Sequence, residues 1–242
     1  MSLWQLFLVP FGETPQAGGY LRYPFPEMVK HLAAVSSRRR TMIIGEDLGN
    51  VPKGFRAALR DAGILGYRVL YFENLTEEDL NPDLPPDLAL SCLSTHDLAP
   101  LAGWWNDDDI AVAEDAGWCR GEAAALLRSE RALRKQNLVE IMVKSGLMSA
   151  PCNAGHDVLP VDDVILALHV LLAKTRSVLV SVRLADMVGE HRSTNIPGTK
   201  KEYPNWRQKL AIPLEGLRGN PLFEGIAAAE RVERPRAATV TT

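Results

Sequence analysis

Short apolar runs alternate along the chain with longer stretches whose apolar residues recur every three or four positions. The short runs are Thr41-Met42-Ile43-Ile44, Tyr67-Arg68-Val69-Leu70-Tyr71-Phe72, Leu88-Ala89-Leu90-Ser91-Cys92-Leu93 and Ser177-Val178-Leu179-Val180-Ser181-Val182. Each gives way to glycine or to polar residues, and together they predict four buried strands. Glu27 to Ser36 has helical spacing through Met28, Leu32 and Val35. Phe55, Ala58, Leu59 and Ala62 form a second helical face that stops at Gly63. Val161 to Lys174 is the strongest amphipathic stretch, with Val164, Leu168, Leu171 and Leu172 on one side. Strands alternating with helices predict an α/β fold, a parallel sheet covered by helices. Four such units are half of an eight-fold barrel or a small open sheet.

Other stretches refine this picture. Met1 to Pro10 is apolar, with no positive residue ahead of it and no small-residue cleavage site after it. It reads as a core segment rather than a signal peptide. Gly12 to Pro26 is a loop rich in Gly, Pro and aromatic residues. About Asp107 to Gly146 is helical in spacing and breaks the strand–helix rhythm, so it reads as an insertion. Asn195-Ile196-Pro197-Gly198-Thr199 reads as a turn and Asn205-Trp206-Arg207 as a helix start. The expected organisation is one barrel portion over residues 1–229, a helical insertion at about 107–150, and a loose tail over 230–242.

Composition removes several classes. The chain has 242 residues, 46% hydrophobic and 24% charged, with a net charge of -3. That is too apolar for intrinsic disorder and not basic, as a nucleic-acid binder would be. It holds no apolar run long enough for a membrane span. Neither nucleic acid nor membrane is expected as a partner. Cys92, Cys119 and Cys152 are odd in number and form no Cys-x-x-Cys pair, which argues against a disulfide framework or a zinc site. A reducing cytoplasm is the expected compartment. Arg38-Arg39-Arg40 reads as a solvated helix end.

Two predicted strands are followed by acidic clusters, Glu46-Asp47 and His96-Asp97. In parallel sheets the C-terminal strand ends form the active face. Such carboxylates serve either as helix caps or as a catalytic pair. Two converging carboxylates suit glycosidic bond chemistry, one protonated to donate to the leaving oxygen and one ionised. Thr95-His96-Asp97 would also permit a metal or hydrolytic triad. No second His stands at i+4 and no Gly-x-Ser-x-Gly elbow occurs, which weighs against both. Trp104-Trp105 is expected either to stack on a sugar or to fill core and lie under the insertion.

The ordered set Gly45-Glu46-Asp47-Leu48-Gly49, Thr95-His96-Asp97 with Gly103-Trp104-Trp105, then Asn195-Ile196-Pro197-Gly198-Thr199 with Asn205-Trp206-Arg207 resembles the 4-alpha-glucanotransferases, or amylomaltases. Leu8-Val9-Pro10-Phe11-Gly12-Glu13 resembles the bacterial maltose-pathway members. The resemblance runs to about Leu217. It implies a (β/α)8 barrel of the TIM type and a retaining, two-step transfer of alpha-1,4-glucan segments between maltooligosaccharides. It implies that Glu46 is the general acid/base. Asp97 would stabilise the transition state and hold sugar hydroxyls, with His96 as its hydrogen-bonding neighbour. Phe72 and Asn195 match positions that line the sugar cleft. No metal or other cofactor is implied. Glu46 follows three apolar residues, so partial burial is expected to favour its protonated form.

One departure stands out. The family's nucleophile is an aspartate in Arg-x-Asp-His, and this sequence contains no such motif. In the family the motif lies directly before a segment like Met1 to Pro10. The chain is therefore expected to be the C-terminal portion of a longer enzyme, inactive alone, whose N-terminal half would be its natural partner. The other readings are an alpha-amylase-like hydrolase, and a non-catalytic sugar-binding module or decayed fragment.

Overall fold

The structure, a computed structural model, describes residues 1–73, 75–149 and 159–235. In chain order its elements are β1 (Gln5–Leu8), β2 (Gly19–Arg22), α1 (Phe25–Arg39), α2 (Phe55–Asp61), β3 (Gly66–Val69) and β4 (Asp87–Cys92). Then follow α3 (Leu101–Trp105), α4 (Asp108–Asp115), α5 (Glu122–Lys144), α6 (Val161–Ala173), β5 (Ser177–Ser181), α7 (Leu184–Met187) and α8 (Pro221–Glu233). The chain divides into two compact units. The first comprises Met1–Arg68, Pro85–Ser91 and Ser177–Leu179, and the second comprises Val69–Leu84, Cys92–Arg176 and Val180–Thr242. The change from one to the other falls near the last residues of β3, β4 and β5.

The first unit is built on aromatic packing. Phe25, Val29, Phe55, Leu59 and Ile64 form its buried cluster, with Trp4 packed against it. The rings of Phe25 and Phe55 stack at 5.2 Å, and Trp4 tilts onto Phe25 at 4.8 Å. Gly63 ends α2 in a left-handed conformation (φ +70°), and the chain then doubles back so that Leu65 pairs in parallel with Ile44. The Leu65 amide donates to Ile43 O and the Gly45 amide to Leu65 O. The three-stranded sheet has the order β3-β4-β5.

Asp47 is the buried acid of this unit, 1% exposed. Its Oδ1 accepts the Tyr67 amide at 2.8 Å, and its Oδ2 accepts Arg56 Nε at 2.8 Å and Arg68 Nη1 at 3.3 Å. A buried carboxylate is tolerable only when paired and hydrogen-bonded in this way.

The expectations for the first segments need correction. Met1 to Pro10 is a core segment only at its start. β1 pairs antiparallel with β2 in a hairpin, from Gln5 opposite Arg22 to Leu8 opposite Gly19. Met1, Leu3 and Trp4 pack against the buried cluster, but the apolar side chains beyond them are poorly covered: Phe7, Leu8 and Val9 are exposed, and Phe11 is fully so. The predicted strand over Thr41 to Ile44 is reduced to one bridge, with Met42 and Ile44 exposed. β3 stops at Val69 because the chain turns there, the Phe72 amide donating to Val69 O.

The second unit is helical. α6 buries Val164, Ile165, Leu168, Leu171 and Leu172, and α8 packs along it through Leu222 and Ile226. The Arg234 side chain closes the end of this pair by donating to Ala173 O and Thr175 O. α8 thus runs to Glu233, past the point where the tail was expected to begin. Asn220 caps its other end by accepting the Phe223 amide at 2.9 Å. His169 lies within α6, where burial lowers its pKa to about 4, so it is a neutral core histidine. The predicted 107–150 region is α4 and α5, and residue 150 lies outside the described residues, as does Cys152.

Trp104 lies on α3 and is core: it stacks on Tyr71 at 4.8 Å, with the Arg131 guanidinium 4.5 Å over its ring. Gly103 beside it is required by a close approach. A Cβ there would lie 2.1 Å from the His191 carbonyl oxygen. Asp186, on α7, is the buried acid of this unit. It accepts the Leu101 amide at 2.7 Å and the Ser94 hydroxyl at 3.0 Å. Burial pushes its pKa above the ordinary value, against the opposing pull of the Leu101 amide, Arg183 and Ser94.

Two outcomes follow from these contacts. Gly103→Ala should lose about 1–3 kcal/mol or more in thermal melting, because backbone rather than a flexible side chain must yield. An unchanged melting curve would refute the close approach. Folding makes Asp186 harder to ionise than in the unfolded chain. Its contribution is therefore complete below the unfolded carboxylate pKa of 3.8 and declines as pH rises through the raised folded value. Asp186→Asn keeps the shape without that decline, so its stability relative to wild type should rise with pH from about 4 upward. A pH-independent difference in denaturant midpoints would contradict this.

Candidate active site

The expected site residues fall in both units. Glu46 belongs to the first and follows the Ile44–Leu65 bridge directly. Its Oε1 accepts the Leu48 amide at 2.8 Å, and its own carbonyl accepts the Met1 amino group at 3.0 Å. The side chain is exposed. The burial expected of Glu46 falls instead on Asp47, which the paired backbone turns inward onto Arg56, Arg68 and the Tyr67 amide. With three donors on its carboxylate and 1% exposure, Asp47 is a structural acid, not a free one.

His96, Asp97 and Asn195 come together in the second unit. Asn195 Nδ2 donates to Asp97 Oδ1 at 2.6 Å, across 98 residues of chain. His96 Nε2 stands 3.4 Å from the same oxygen. Both His96 and Asp97 are solvent-accessible, and the ring of His96 lies 5.2 Å from that of Trp206. Trp206 is 63% exposed and has a positive φ of 61°, uncommon for a large residue. An exposed indole is a flat apolar platform beside the carboxylate. Phe72 belongs to the same unit; it sits on the turn after β3, exposed.

The expected Pro197-Gly198 turn is present, the Thr199 amide donating to Ile196 O at 3.3 Å, but Asn205-Trp206-Arg207 starts no helix. Asn205 explains why. Its Oδ1 accepts the Ile196 amide at 2.9 Å, and its Nδ2 donates to Thr199 Oγ1 at 2.8 Å and to Thr199 O. The Trp206 amide donates to Thr194 O at 2.9 Å. These bonds use Asn205 and Trp206 to tie both ends of the 195–199 segment, leaving them unavailable to begin a helix.

Sequence reasoning missed Arg183. Its Nη1 donates to Thr95 O at 2.8 Å and Leu98 O at 3.0 Å, and approaches Ser94 Oγ at 3.4 Å. Its Nη2 donates to Thr194 Oγ1 at 3.0 Å. The only signal was a lone charge at the end of a predicted strand, which is usually solvated.

Chemically, the second unit offers an accessible carboxylate held by an amide, flanked by an imidazole and an indole face. Such a set can pair with neighbouring hydroxyls and stabilise developing positive charge. The first unit offers a separate accessible carboxylate on a tied loop.

Comparison with known proteins accords with this inventory. A family model described as 4-alpha-glucanotransferase matches residues 1–214. The 4-alpha-glucanotransferase of Mycobacterium tuberculosis is 34% identical over 253 aligned residues, covering all of this chain and 33% of that protein. The 4-alpha-glucanotransferase of Haemophilus influenzae is 34% identical over 226 residues, covering 91% of this chain and 32% of that protein. The chain thus spans about a third of the length of these relatives. The crystal structure of amylomaltase from Corynebacterium glutamicum superposes with a TM-score of 0.82 at 32% identity, covering 94% of this chain and 34% of that one. An amylomaltase from Streptococcus agalactiae in complex with acarbose shares the fold, with a TM-score of 0.61 at 16% identity over 96% of this chain and 39% of that one. With ordered motifs, a matching fold and a family match over most of its length, the chain belongs to the 4-alpha-glucanotransferase family.

Proposed function

We propose that this chain is the part of a 4-alpha-glucanotransferase that supplies the acid/base and transition-state carboxylates. The observation that carries this is the Asn195–Asp97 contact at 2.6 Å with His96 and Trp206 beside it, in a chain of this family. The substrates are maltooligosaccharides or other alpha-1,4-glucans. Glu46 gives its proton to the glycosidic oxygen as the bond to C1 breaks. A carboxylate forms a bond to C1, and the leaving chain departs. In the second step an acceptor hydroxyl attacks C1, its proton passes to Glu46, and the carboxylate is released. Two inversions give retention. Asp97 stays ionised, stabilises the oxocarbenium-like centre and pairs with sugar hydroxyls, with Asn195 holding its orientation. His96 donates or accepts at the same hydroxyls. Phe72 and Trp206 supply apolar faces.

The covalent step is assigned to a part of the enzyme outside these 242 residues. Two features support that reading: the sequence lacks Arg-x-Asp-His, and Asp47 is buried and fully paired. The finer fold reading is the C-terminal half of a (β/α)8 barrel, with α4 and α5 as a helical insertion, in a cytoplasmic enzyme. The exposed apolar hairpin and the single-bridge edge at Ile44 support an incomplete barrel.

Maltotriose tests the activity. The chain alone should give no products. Mixed with the Arg-x-Asp-His portion of a relative, it should give glucose together with chains longer than the substrate. Glu46→Gln should reduce that transfer about 10²–10⁴-fold. Glucose and maltose without longer chains would indicate a hydrolase instead, and binding without turnover a sugar-binding module. Transfer by the chain alone would overturn the assignment of the nucleophile.

Sedimentation tests the fold. The chain alone should be a dimer or larger assembly, or should aggregate. A soluble monomer with a sharp melting transition would contradict the half-barrel reading.

A further inference from the structure

We infer that Arg183 is a positioning residue that sets the Asp97–Asn195 pair. The inference rests on the proposal that this pair meets the sugar. Asp97 and His96 lie on the short loop that follows β4. The Thr95 and Leu98 carbonyls bracket His96 and Asp97, and both converge on Arg183 Nη1, at 2.8 Å and 3.0 Å. The Leu98 amide donates to Thr95 O, so the bracket is a closed turn. The other nitrogen of the same guanidinium donates to Thr194 Oγ1, on the residue directly before Asn195. One rigid, planar group therefore fixes the loop of Asp97 and the loop of Asn195 together.

Neighbouring contacts hold Arg183 in place. It precedes α7, whose Asp186 accepts the Ser94 hydroxyl and the Leu101 amide, the two ends of the segment that contains the bracket. The Trp206 amide on Thr194 O fixes the far side of the Asn195 loop. Lysine cannot replace this geometry. An ammonium is a compact point charge on a flexible stem, whereas the guanidinium presents donors in a fixed fork. With lysine here, one loop or the other loses its anchor, and the Asn195–Asp97 bond opens although neither residue is changed.

The test uses this chain, ¹⁵N-labelled and combined with the unlabelled Arg-x-Asp-His portion of a relative, with the Asn195 side-chain amide assigned through Asn195→Ala. Asp97→Asn shows where that resonance moves when the carboxylate is removed. Arg183→Lys should move it the same way. Arg131→Lys, the same chemical change at the Trp104 stack, should leave it in place even where melting falls. If Arg183→Lys does not fold, Thr194→Val decides, since it removes one arm of the clamp only and should shift the resonance part of the way. A wild-type resonance in Arg183→Lys or in Thr194→Val, or no response to Asp97→Asn, would overturn the proposal. Maltotriose affinity, measured in parallel, should fall roughly tenfold in Arg183→Lys, the loss of about one charged hydrogen bond. The amide readout needs no sugar. Failure of maltotriose to bind wild type would therefore count against the sugar reading, while the positional claim stands or falls on the resonance.

Discussion

Burying a carboxylate is the constraint from which the rest of this structure follows. Among the described residues each unit places one aspartate out of water, Asp47 in the first and Asp186 in the second. A charge so placed must gather donors or give up its ionisation. Asp47 gathers Arg56, Arg68 and the Tyr67 amide, and in doing so fixes the loop that carries Glu46. Asp186 gathers the Leu101 amide and the Ser94 hydroxyl, and in doing so fixes both ends of the segment that carries His96 and Asp97. In both cases the buried acid holds the backbone while its chemically interesting neighbour stays exposed.

The division of labour has a physical basis. A carboxylate that meets a sugar must be accessible and free to exchange partners. A carboxylate that anchors a loop must be neither. The pair Glu46-Asp47 puts an accessible and an anchoring carboxylate on consecutive residues, because neighbouring side chains on an extended segment face opposite ways. Asp97 obtains the same result from a different arrangement. Its loop is anchored through main-chain carbonyls by Arg183, leaving its own side chain to Asn195 and His96. The second unit also holds the Tyr71–Trp104 stack, the Arg131 guanidinium over it, and the glycine that admits the His191 carbonyl.

Much of this was legible in the sequence. Strands β3, β4 and β5, helices α1, α2 and α6 and the helical 107–146 stretch emerge from apolar spacing, and the family from the resemblance of its ordered motifs. These are local properties, fixed by period and by turn residues, and they need no partner from elsewhere in the chain. Exposure was less legible. The run Leu6-Phe7-Leu8-Val9 is as apolar as a core strand, yet it forms a hairpin with exposed side chains, because its pairing partner is a Gly-rich segment that carries no strand signal of its own.

Glu46 and Asp47 illustrate the limit most plainly. Composition makes them equivalent, and only the pairing of Gly45 with Leu65 decides which turns inward. Likewise Asn205 looks like a helix start until Ile196 and Thr199 are brought to its side chain. The Asn195–Asp97 bond joins residues 98 positions apart. The sequence by itself determined the family, the longer helices, the strands of the three-stranded sheet and the side chains available for chemistry. Tertiary structure alone decided which acids are buried, which loops are tied and which side chains meet, because those outcomes depend on hydrogen bonds and burial contributed by distant parts of the chain.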